Sequence, residues 1–172
     1  MVKQILLFGA GKSATVLIDY LLEESTTHNW KLIVADANKS VAEQKINGHP
    51  NGQPEGIDIN DEISRKKLIQ QADIVISMMP PSLHILVAKD CITFSKHLLT
   101  ASYADQQIYD LEEMVQDRNI LFLCEMGLDP GIDHMSAMQI LDDLKQKGAK
   151  ITSFKSHCGG LVAPESDDNP WH

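Results

Sequence analysis

The sequence lacks the concentrated positive charge that marks most nucleic-acid-binding proteins. Its 172 residues carry a formal net charge of −9, and no stretch holds more than three adjacent basic residues, Arg65, Lys66 and Lys67. Binding to a phosphate backbone requires a basic face, because the contacts neutralise phosphate charge. We therefore expect no nucleic-acid partner.

Long apolar runs and paired cysteines are missing as well. No uninterrupted apolar run approaches the ~20 residues of a membrane-spanning helix, and the first residues begin a strand pattern without the arrangement of a signal peptide. The three cysteines, Cys91, Cys124 and Cys158, are odd in number and widely spaced. This pattern predicts neither a disulfide framework nor a paired-cysteine metal site. We expect a cytoplasmic protein with no membrane partner.

What the sequence does contain is a regular alternation of strand and helix patterns. Lys3–Phe8 and Lys31–Ala35 are apolar runs without polar alternation, as in parallel strands that are covered on both faces. The alternation continues to about residue 130 and predicts an α/β fold with a doubly wound, Rossmann-type parallel sheet. We expect residues 1–130 to form this domain and residues 131–172 to begin a second region that is incomplete in this chain.

Shorter patterns predict three local features. A third strand is expected at Gly56–Ile59, after a loop rich in glycine and proline. A helix is expected over Ser82–Phe94, with Ser82 as its N-cap and His84 on its surface. A last strand is expected in "KITSFKSHCGG", residues 150–160.

The stretch "GAGKSA", residues 9–14, directly follows the first strand. A mononucleotide phosphate loop needs four residues between its first glycine and the Gly-Lys-Ser end, whereas only Ala10 separates Gly9 from Gly11. The spacing matches G-x-G-x-x-(G/A) instead, with Gly9 for the turn, Gly11 for the approach of a pyrophosphate, and Ala14 for close packing of helix and strand. We expect a dinucleotide-binding turn, with a glycine turn that binds no ligand as the alternative.

An acidic residue ends the second strand. Asp36 can accept hydrogen bonds from ribose hydroxyls and would repel a 2′-phosphate. No arginine follows it, and the nearest cation is Lys39. We therefore expect NAD as the cofactor in preference to NADP, with a helix cap as the alternative role of Asp36. Asp58 is a candidate for contact with the adenine edge.

Residues capable of acid–base chemistry follow the later strands, at the edge where ligands bind in open parallel sheets. They lie in "TASY" (100–103), "GLDPGIDH" (127–134) and "HCGGL" (157–161). Taken singly, each acid is also explained by an ordinary turn or cap. A metal site is conceivable, but no ligand spacing supports one and we expect none. Its residues would be Asp133, His134, His157 and Cys158.

Together these segments resemble the glutamate-forming saccharopine dehydrogenases, also called saccharopine reductases. The resemblance is carried by "TASY", "GLDPGIDH" and "SHCGGLVAPESDDNP" (156–170), and "ADIVISMMPPSLH" (72–84) fits it. It implies an NAD(P)-dependent oxidoreductase of lysine metabolism that acts on the CH–NH group of saccharopine and interconverts it with glutamate and 2-aminoadipate 6-semialdehyde. The chains of that family are considerably longer. The second region would therefore begin the domain that binds the small amino-acid substrate and forms a homodimer, and we do not expect this chain to be active alone.

The resemblance also implies roles for individual residues. Proton transfer is implied for Tyr103, Asp129 and Cys158, and substrate contact for Ser102 and Tyr103. The residues implied at the dinucleotide are Gly9, Ala10, Gly11, Lys12, Ser13, Asp36, Asp58, Ala101, Ser102, Leu128, Asp129 and Pro130.

The sequence departs from the family pattern beside the second strand. Fungal members tend to carry an arginine there and use NADP(H), whereas this chain has Ala37 and Asn38. Proteins of the same architecture also act on other amino acids or polyamines. A related amine-forming dehydrogenase, of the lysine dehydrogenase or carboxynorspermidine synthase type, is therefore one alternative. A non-catalytic dinucleotide-binding module is another.

Overall fold

A computed structural model of the chain describes residues 2–157 and residue 159. The strands are β1 Lys3–Phe8, β2 Trp30–Asp36, β3 Gly52–Gly56, β4 Ile74–Ser77, β5 His97–Thr100 and β6 Phe122–Leu123. The α-helices are α1 Thr15–His28, α2 Lys39–Ile46, α3 Glu62–Gln71, α4 His84–Thr93, α5 Gln106–Tyr109, α6 Glu112–Asp117 and α7 Ile132–Gln146.

All six strands form one parallel sheet in the order β3-β2-β1-β4-β5-β6. The chain builds outward from β1 in one direction and then, from β4 onward, in the other. The strand order therefore reverses between β1 and β4, and ligands bind outside the carboxyl ends of the strands at such a point. The predicted doubly wound α/β fold is confirmed.

The apolar strands are buried on both faces of the sheet. In β1, Leu6 and Phe8 contribute to one core, and Ile5 and Leu7 contribute to the opposite one. Successive side chains of a strand point to opposite faces, so an unbroken apolar run supplies both cores. This arrangement holds the carboxyl end of β1 firmly between two layers of helices.

A buried ion pair fixes α4 against α3. Arg65 Nε donates to Asp90 Oδ2 at 2.7 Å, and both side chains are more than nine-tenths buried. Arg65 also donates to the carbonyl of Ile59, so its guanidinium has a second partner. Breaking one side of such a pair is strongly destabilising, because a buried charge is left alone. The pair thus helps to hold α4, whose first residue is His84, in place.

Three local expectations were wrong. The third strand is Gly52–Gly56 rather than Gly56–Ile59, and its polar sequence suits an edge strand, where Pro54 is tolerated. The helix begins at His84 after a single 3₁₀ turn, and no side chain caps it. In the described part of "KITSFKSHCGG", residues 150–157 and 159, there is no strand.

The chain divides into two compact units, residues 1–134 and 135–172. The unit boundary falls inside α7, and this helix has no buried residue among those described. The domain boundary at residue 130 stays a prediction. Within the described residues, no helix combines the length and the apolar character needed to cross a membrane.

Candidate functional site

The glycine turn after β1 is made rigid by its neighbours. Gly9 has φ +95°, a conformation that favours glycine, and its N–H donates to the carbonyl of Ala35 at 2.8 Å. A Cβ on this residue would lie 2.9 Å from the carbonyl oxygen of Met78, at the end of the adjacent strand β4. The protein's own backbone therefore requires a glycine at position 9.

Gly11 differs from Gly9 in this respect. A Cβ built on Gly11 would meet nothing within 4 Å, and the residues Gly11, Lys12 and Ser13 are all exposed. They begin a 3₁₀ turn that leads into α1, and the first N–H groups of a helix have no partner within it. The open space and the exposed start of the helix fit a phosphate group at this position.

The side chain of Asp36 stabilises the glycine turn by hydrogen bonding. Its Oδ2 accepts a hydrogen bond from Ala10 N at 2.7 Å, and its Oδ1 accepts one from Asn38 N at 2.8 Å. Asn38, rather than Asp36, caps helix α2, because the Asn38 side chain accepts from Ser40 N. A carboxylate offers about four lone-pair sites, so each Asp36 oxygen can still accept a further hydrogen bond.

Asp58 lies in the loop that follows β3. It is exposed, and its Oδ1 accepts hydrogen bonds from the backbone and the side chain of Asn60 at 2.9 and 3.1 Å. The expectation that Asp58 ends the third strand was wrong, because that strand ends earlier, at Gly56.

The later strands bring three segments of the sequence together around one cavity of about 410 Å³. The phenolic O–H of Tyr103 donates to Asp129 Oδ1 at 2.8 Å across this cavity, and both residues are exposed. The lining residues are Pro81, Ala101, Ser102, Tyr103, Ala104, Asp105, Asp129 and Pro130. Of the predicted site residues in these segments, Leu128 alone does not line the cavity, and its side chain is 75% exposed.

The segment that carries Asp129 is fixed by its backbone. Gly127 N donates to the carbonyl of Pro130 at 2.8 Å, and Met126 N donates to the carbonyl of Thr100, the last residue of β5, at 3.0 Å. The peptide bond between Asp129 and Pro130 is cis. Gly131 has φ +145°, and a Cβ there would lie 2.2 Å from the carbonyl oxygen of Gly127. Glycine is therefore required at position 131.

Asp133 and His134 lie beside this turn, in the first turn of α7. Burial alone would raise the pKa of Asp133, but hydrogen bonds from His134 and from Gly131 N outweigh it and lower the pKa. Asp129, Asp133 and His134 each offer one possible ligand atom within 4.8 Å of the others. Asp129 and His134 are exposed, and such groups are common on protein surfaces without a metal ion. The absence of a metal site stays a prediction.

Sequence reasoning missed one residue of this edge. His84, expected on a helix surface, is 4% exposed and lies between two serines. Its Nδ1 is 2.8 Å from Ser77 Oγ, and its Nε2 is 3.0 Å from Ser102 Oγ. Desolvation lowers the pKa of His84, although the charge of Asp105 opposes that shift. No local sequence pattern marks His84 for burial, because its partners Ser77 and Ser102 lie on two other segments of the chain.

The predicted proton-transfer residue Cys158 lies outside the described residues. The two cysteines that the structure describes are poor nucleophiles, because burial raises the pKa of the Cys91 and Cys124 thiols.

Comparisons with known proteins agree with the sequence motifs. The family model described as saccharopine dehydrogenase NADP binding domain matches residues 5–122, and the one described as saccharopine dehydrogenase C-terminal domain matches residues 127–172. The cofactor class, a nicotinamide dinucleotide, is thereby confirmed.

Individual relatives support the same assignment. The chain is 38% identical over 166 residues to the Schizosaccharomyces pombe protein named saccharopine dehydrogenase [NADP(+), L-glutamate-forming], with 96% of this chain and 36% of that protein covered. It is 39% identical over 171 residues to the mitochondrial alpha-aminoadipic semialdehyde synthase of Bos taurus, with 98% and 18% covered.

Among solved structures, apo saccharopine dehydrogenase (L-Glu forming) from Saccharomyces cerevisiae matches with a TM-score of 0.83 and 33% sequence identity. The match covers 98% of this chain and 37% of that one, so the chain spans little more than a third of that relative. The family model for the dinucleotide domain alone covers well over half of the chain. The resemblance predicted from the motifs is confirmed: the chain belongs to the saccharopine dehydrogenase family.

Proposed function

We propose that this chain supplies the dinucleotide site and part of the substrate site of an oxidoreductase that acts on the CH–NH group of saccharopine. The reaction would interconvert saccharopine with glutamate and 2-aminoadipate 6-semialdehyde. The observation that supports it most is the pairing of Tyr103 with Asp129 in a cavity at the carboxyl edge of the sheet that bears the glycine turn. Membership in the family and the name of the S. pombe relative support the choice of substrate.

The residues around the glycine turn fit a nicotinamide dinucleotide. The exposed residues Gly11, Lys12 and Ser13 lead into the N-terminus of α1, and the pyrophosphate would bind there. Asp36 would hold the adenosine ribose and Asp58 would lie near the adenine. Ala101, Ser102, Leu128, Asp129 and Pro130 would lie near the nicotinamide. When bound, the dinucleotide supplies hydride transfer at the substrate carbon.

The protein's own part is to orient the substrate and move protons. Ser102 and Tyr103 border the cavity, so each can hydrogen-bond to an amino-acid substrate there. Asp129 accepts a hydrogen bond from the Tyr103 hydroxyl, which suits a pair that takes up and returns a proton as the C–N bond forms or breaks. Cys158 is the third candidate for this role, from the resemblance alone.

We favour NAD over NADP on the chain's own residues. The Asp36 carboxylate would repel a 2′-phosphate, and the exposed residues Ala37 and Asn38 offer no cation to bind one. The names of the family model and of the S. pombe relative favour NADP instead. Titration of the protein with NADH and NADPH decides between them. Tighter binding of NADPH by tenfold or more would overturn the NAD preference and leave the dinucleotide site intact.

The decisive test is an assay of the complete protein with either dinucleotide. Saccharopine, lysine and carboxynorspermidine are offered in turn, and the appearance of reduced nicotinamide is followed. Turnover with saccharopine alone supports the proposal. Turnover with another amine assigns a related dehydrogenase, and dinucleotide binding without turnover on any of them assigns a non-catalytic module.

Three further expectations accompany the proposal. Residues 131–172 would begin the substrate-binding domain, the complete protein would form a homodimer, and it would reside in the cytoplasm. The name of the bovine relative places that protein in mitochondria instead. Sedimentation of the complete protein and imaging of its fluorescent fusion test the last two.

A further inference from the structure

Three side chains form a continuous hydrogen-bonded chain from the interior to the cavity. Ser77 at the end of β4 contacts His84 Nδ1 at 2.8 Å, and His84 Nε2 contacts Ser102 Oγ at 3.0 Å. Ser77 is fully buried, His84 is 4% exposed, and Ser102 borders the cavity. Of these three side chains, only Ser102 can therefore contact a ligand in the cavity.

The buried residue Ser77 determines which ring nitrogen of His84 carries the proton. A neutral imidazole has one N–H donor and one acceptor nitrogen. Within the part of the chain that the structure describes, the contact with His84 is the one hydrogen bond recorded for Ser77 Oγ. If Nδ1 held the proton, Ser77 would accept from it, and its own buried hydroxyl hydrogen would have no acceptor. A buried donor without a partner is costly, so Ser77 donates to Nδ1.

The proton then lies on Nε2, and this fixes the direction of the next hydrogen bond. His84 Nε2–H donates to Ser102 Oγ, so the hydroxyl hydrogen of Ser102 is directed elsewhere. Ser102 lines the cavity. Because the His84 bond uses only one acceptor lone pair of Ser102, the Ser102 O–H remains available to donate a hydrogen bond in the cavity.

The surroundings of His84 keep its ring neutral. Desolvation lowers its pKa, and its place at the N-terminus of α4 also disfavours a positive charge. Asp105 is the charged group that acts in the opposite sense. A neutral ring is required here, because a protonated imidazole would have no acceptor for Ser77.

We propose that His84 is a positioning residue that, held in its Nε2–H form by Ser77, makes Ser102 a hydrogen-bond donor to an oxygen acceptor of the bound ligand. The acceptor class is a carboxylate or carboxamide oxygen, from either the amino-acid substrate or the nicotinamide amide. The functional part of this inference rests on the proposed oxidoreductase function, whereas the protonation state of His84 does not.

The first experiment measures that protonation state in the complete protein without any ligand. Nitrogen-15 NMR shifts of the His84 ring report which nitrogen carries the proton. We expect Nε2–H in the wild type and a mixture of both forms in Ser77→Ala. A proton on Nδ1 in the wild type overturns the inference. This readout needs no turnover, so it stands apart from any failure of the proposed function.

The second experiment compares two replacements of His84. In His84→Gln, the amide nitrogen lies near the position of Nε2, so a donor to Ser102 is kept. In His84→Asn, the amide nitrogen lies near the position of Nδ1, so that donor is lost. We expect a roughly tenfold weaker interaction in His84→Asn, the size of one hydrogen bond, and rescue in His84→Gln. Equal effects of the two variants would indicate packing alone and would overturn the proposal.

Two readouts identify the source of the acceptor oxygen. Weaker binding of NADH or NADPH in the absence of substrate assigns the nicotinamide amide. A higher KM for saccharopine with unchanged dinucleotide affinity and kcat assigns a substrate carboxylate. In a Ser102→Ala background, His84→Asn should have no further effect, because His84 acts through Ser102. Additive effects of the two substitutions contradict the proposal.

Discussion

The two halves of the carboxyl edge of the sheet are held by different kinds of contact. The half that follows β1 and β2 depends on close backbone geometry: a Cβ on Gly9 would lie 2.9 Å from the Met78 carbonyl oxygen, and Asp36 accepts from two backbone N–H groups. The half that follows β4 and β5 depends on side chains, such as the Tyr103–Asp129 hydrogen bond. Substitutions of Gly9 and Asp36 should therefore disturb the fold, and substitution of Asp129 should disturb chemistry.

The largest effect is expected at Gly9. In Gly9→Ala, the positive φ and a Cβ 2.9 Å from the Met78 carbonyl oxygen should together reduce the free energy of unfolding by about 3 kcal/mol or more. Urea unfolding measures this loss. The matched control is Gly11→Ala, which has open space around its Cβ and should weaken dinucleotide binding with little loss of stability. Equal stability losses in the two variants would erase the distinction between the two glycines.

Asp129 should show the opposite behaviour. Asp129→Ala removes an exposed proton acceptor, so kcat in the complete protein should fall about 100-fold, equivalent to about 2.7 kcal/mol in the barrier. Stability and dinucleotide affinity should change much less, because the turn is held by backbone hydrogen bonds. Asp110→Asn, an exposed acid outside the cavity, is the control and should behave as wild type. Parallel losses of kcat and dinucleotide affinity would show Asp129 to be a structural turn residue.

Asp36 should affect both the stability of the fold and the choice of dinucleotide. Asp36→Ala leaves Ala10 N and Asn38 N without their acceptor, and the loss of these charge-assisted hydrogen bonds should cost about 2 kcal/mol of stability. The same change should shift dinucleotide preference toward NADPH, measured by titration with both. Asp58→Ala, which removes only local contacts with Asn60, should change stability by less than about 0.5 kcal/mol. An unaltered preference in Asp36→Ala would remove Asp36 as the determinant of cofactor choice.

The smallest effect is a pH dependence from the side-chain half. The pKa of His84 is lowered in the folded protein from its ordinary value of 6.5, so below that pH the unfolded chain binds a proton more readily than the folded one. Stability should therefore decline as pH falls from 6.5 toward the lower folded pKa, by at most about 1.4 kcal/mol per pH unit. Chemical unfolding between pH 7 and pH 5 measures it. His84→Gln should have a shallower slope than wild type, and an identical slope would show that other groups dominate.

The same contrast explains what could be predicted from the sequence. The glycine turn has fixed spacing and follows an apolar strand, so a short local pattern identifies it. The edge strand β3, by contrast, has the sequence "GQPEG" and is held by backbone pairing with β2, which leaves no apolar signal. The meeting of Tyr103 with Asp129 was expected only from the rule that carboxyl ends of parallel strands share an edge. The burial of His84 had no local signal, because Ser77 and Ser102 contact it from two other elements.

The pairing of β1 with β4 also fixes the distance between the two halves of the site. Phe8, just before the glycine turn, is in register with Ser77, where the hydrogen-bonded chain through His84 begins. Neighbouring strands lie about 4.8 Å apart, so the sheet itself holds the two halves at a fixed separation. If the dinucleotide binds as proposed, adenosine diphosphate alone would occupy the first half without reaching the second. Under that proposal, the length of a nucleotide, in addition to its charge, would decide whether it contacts both halves of the edge.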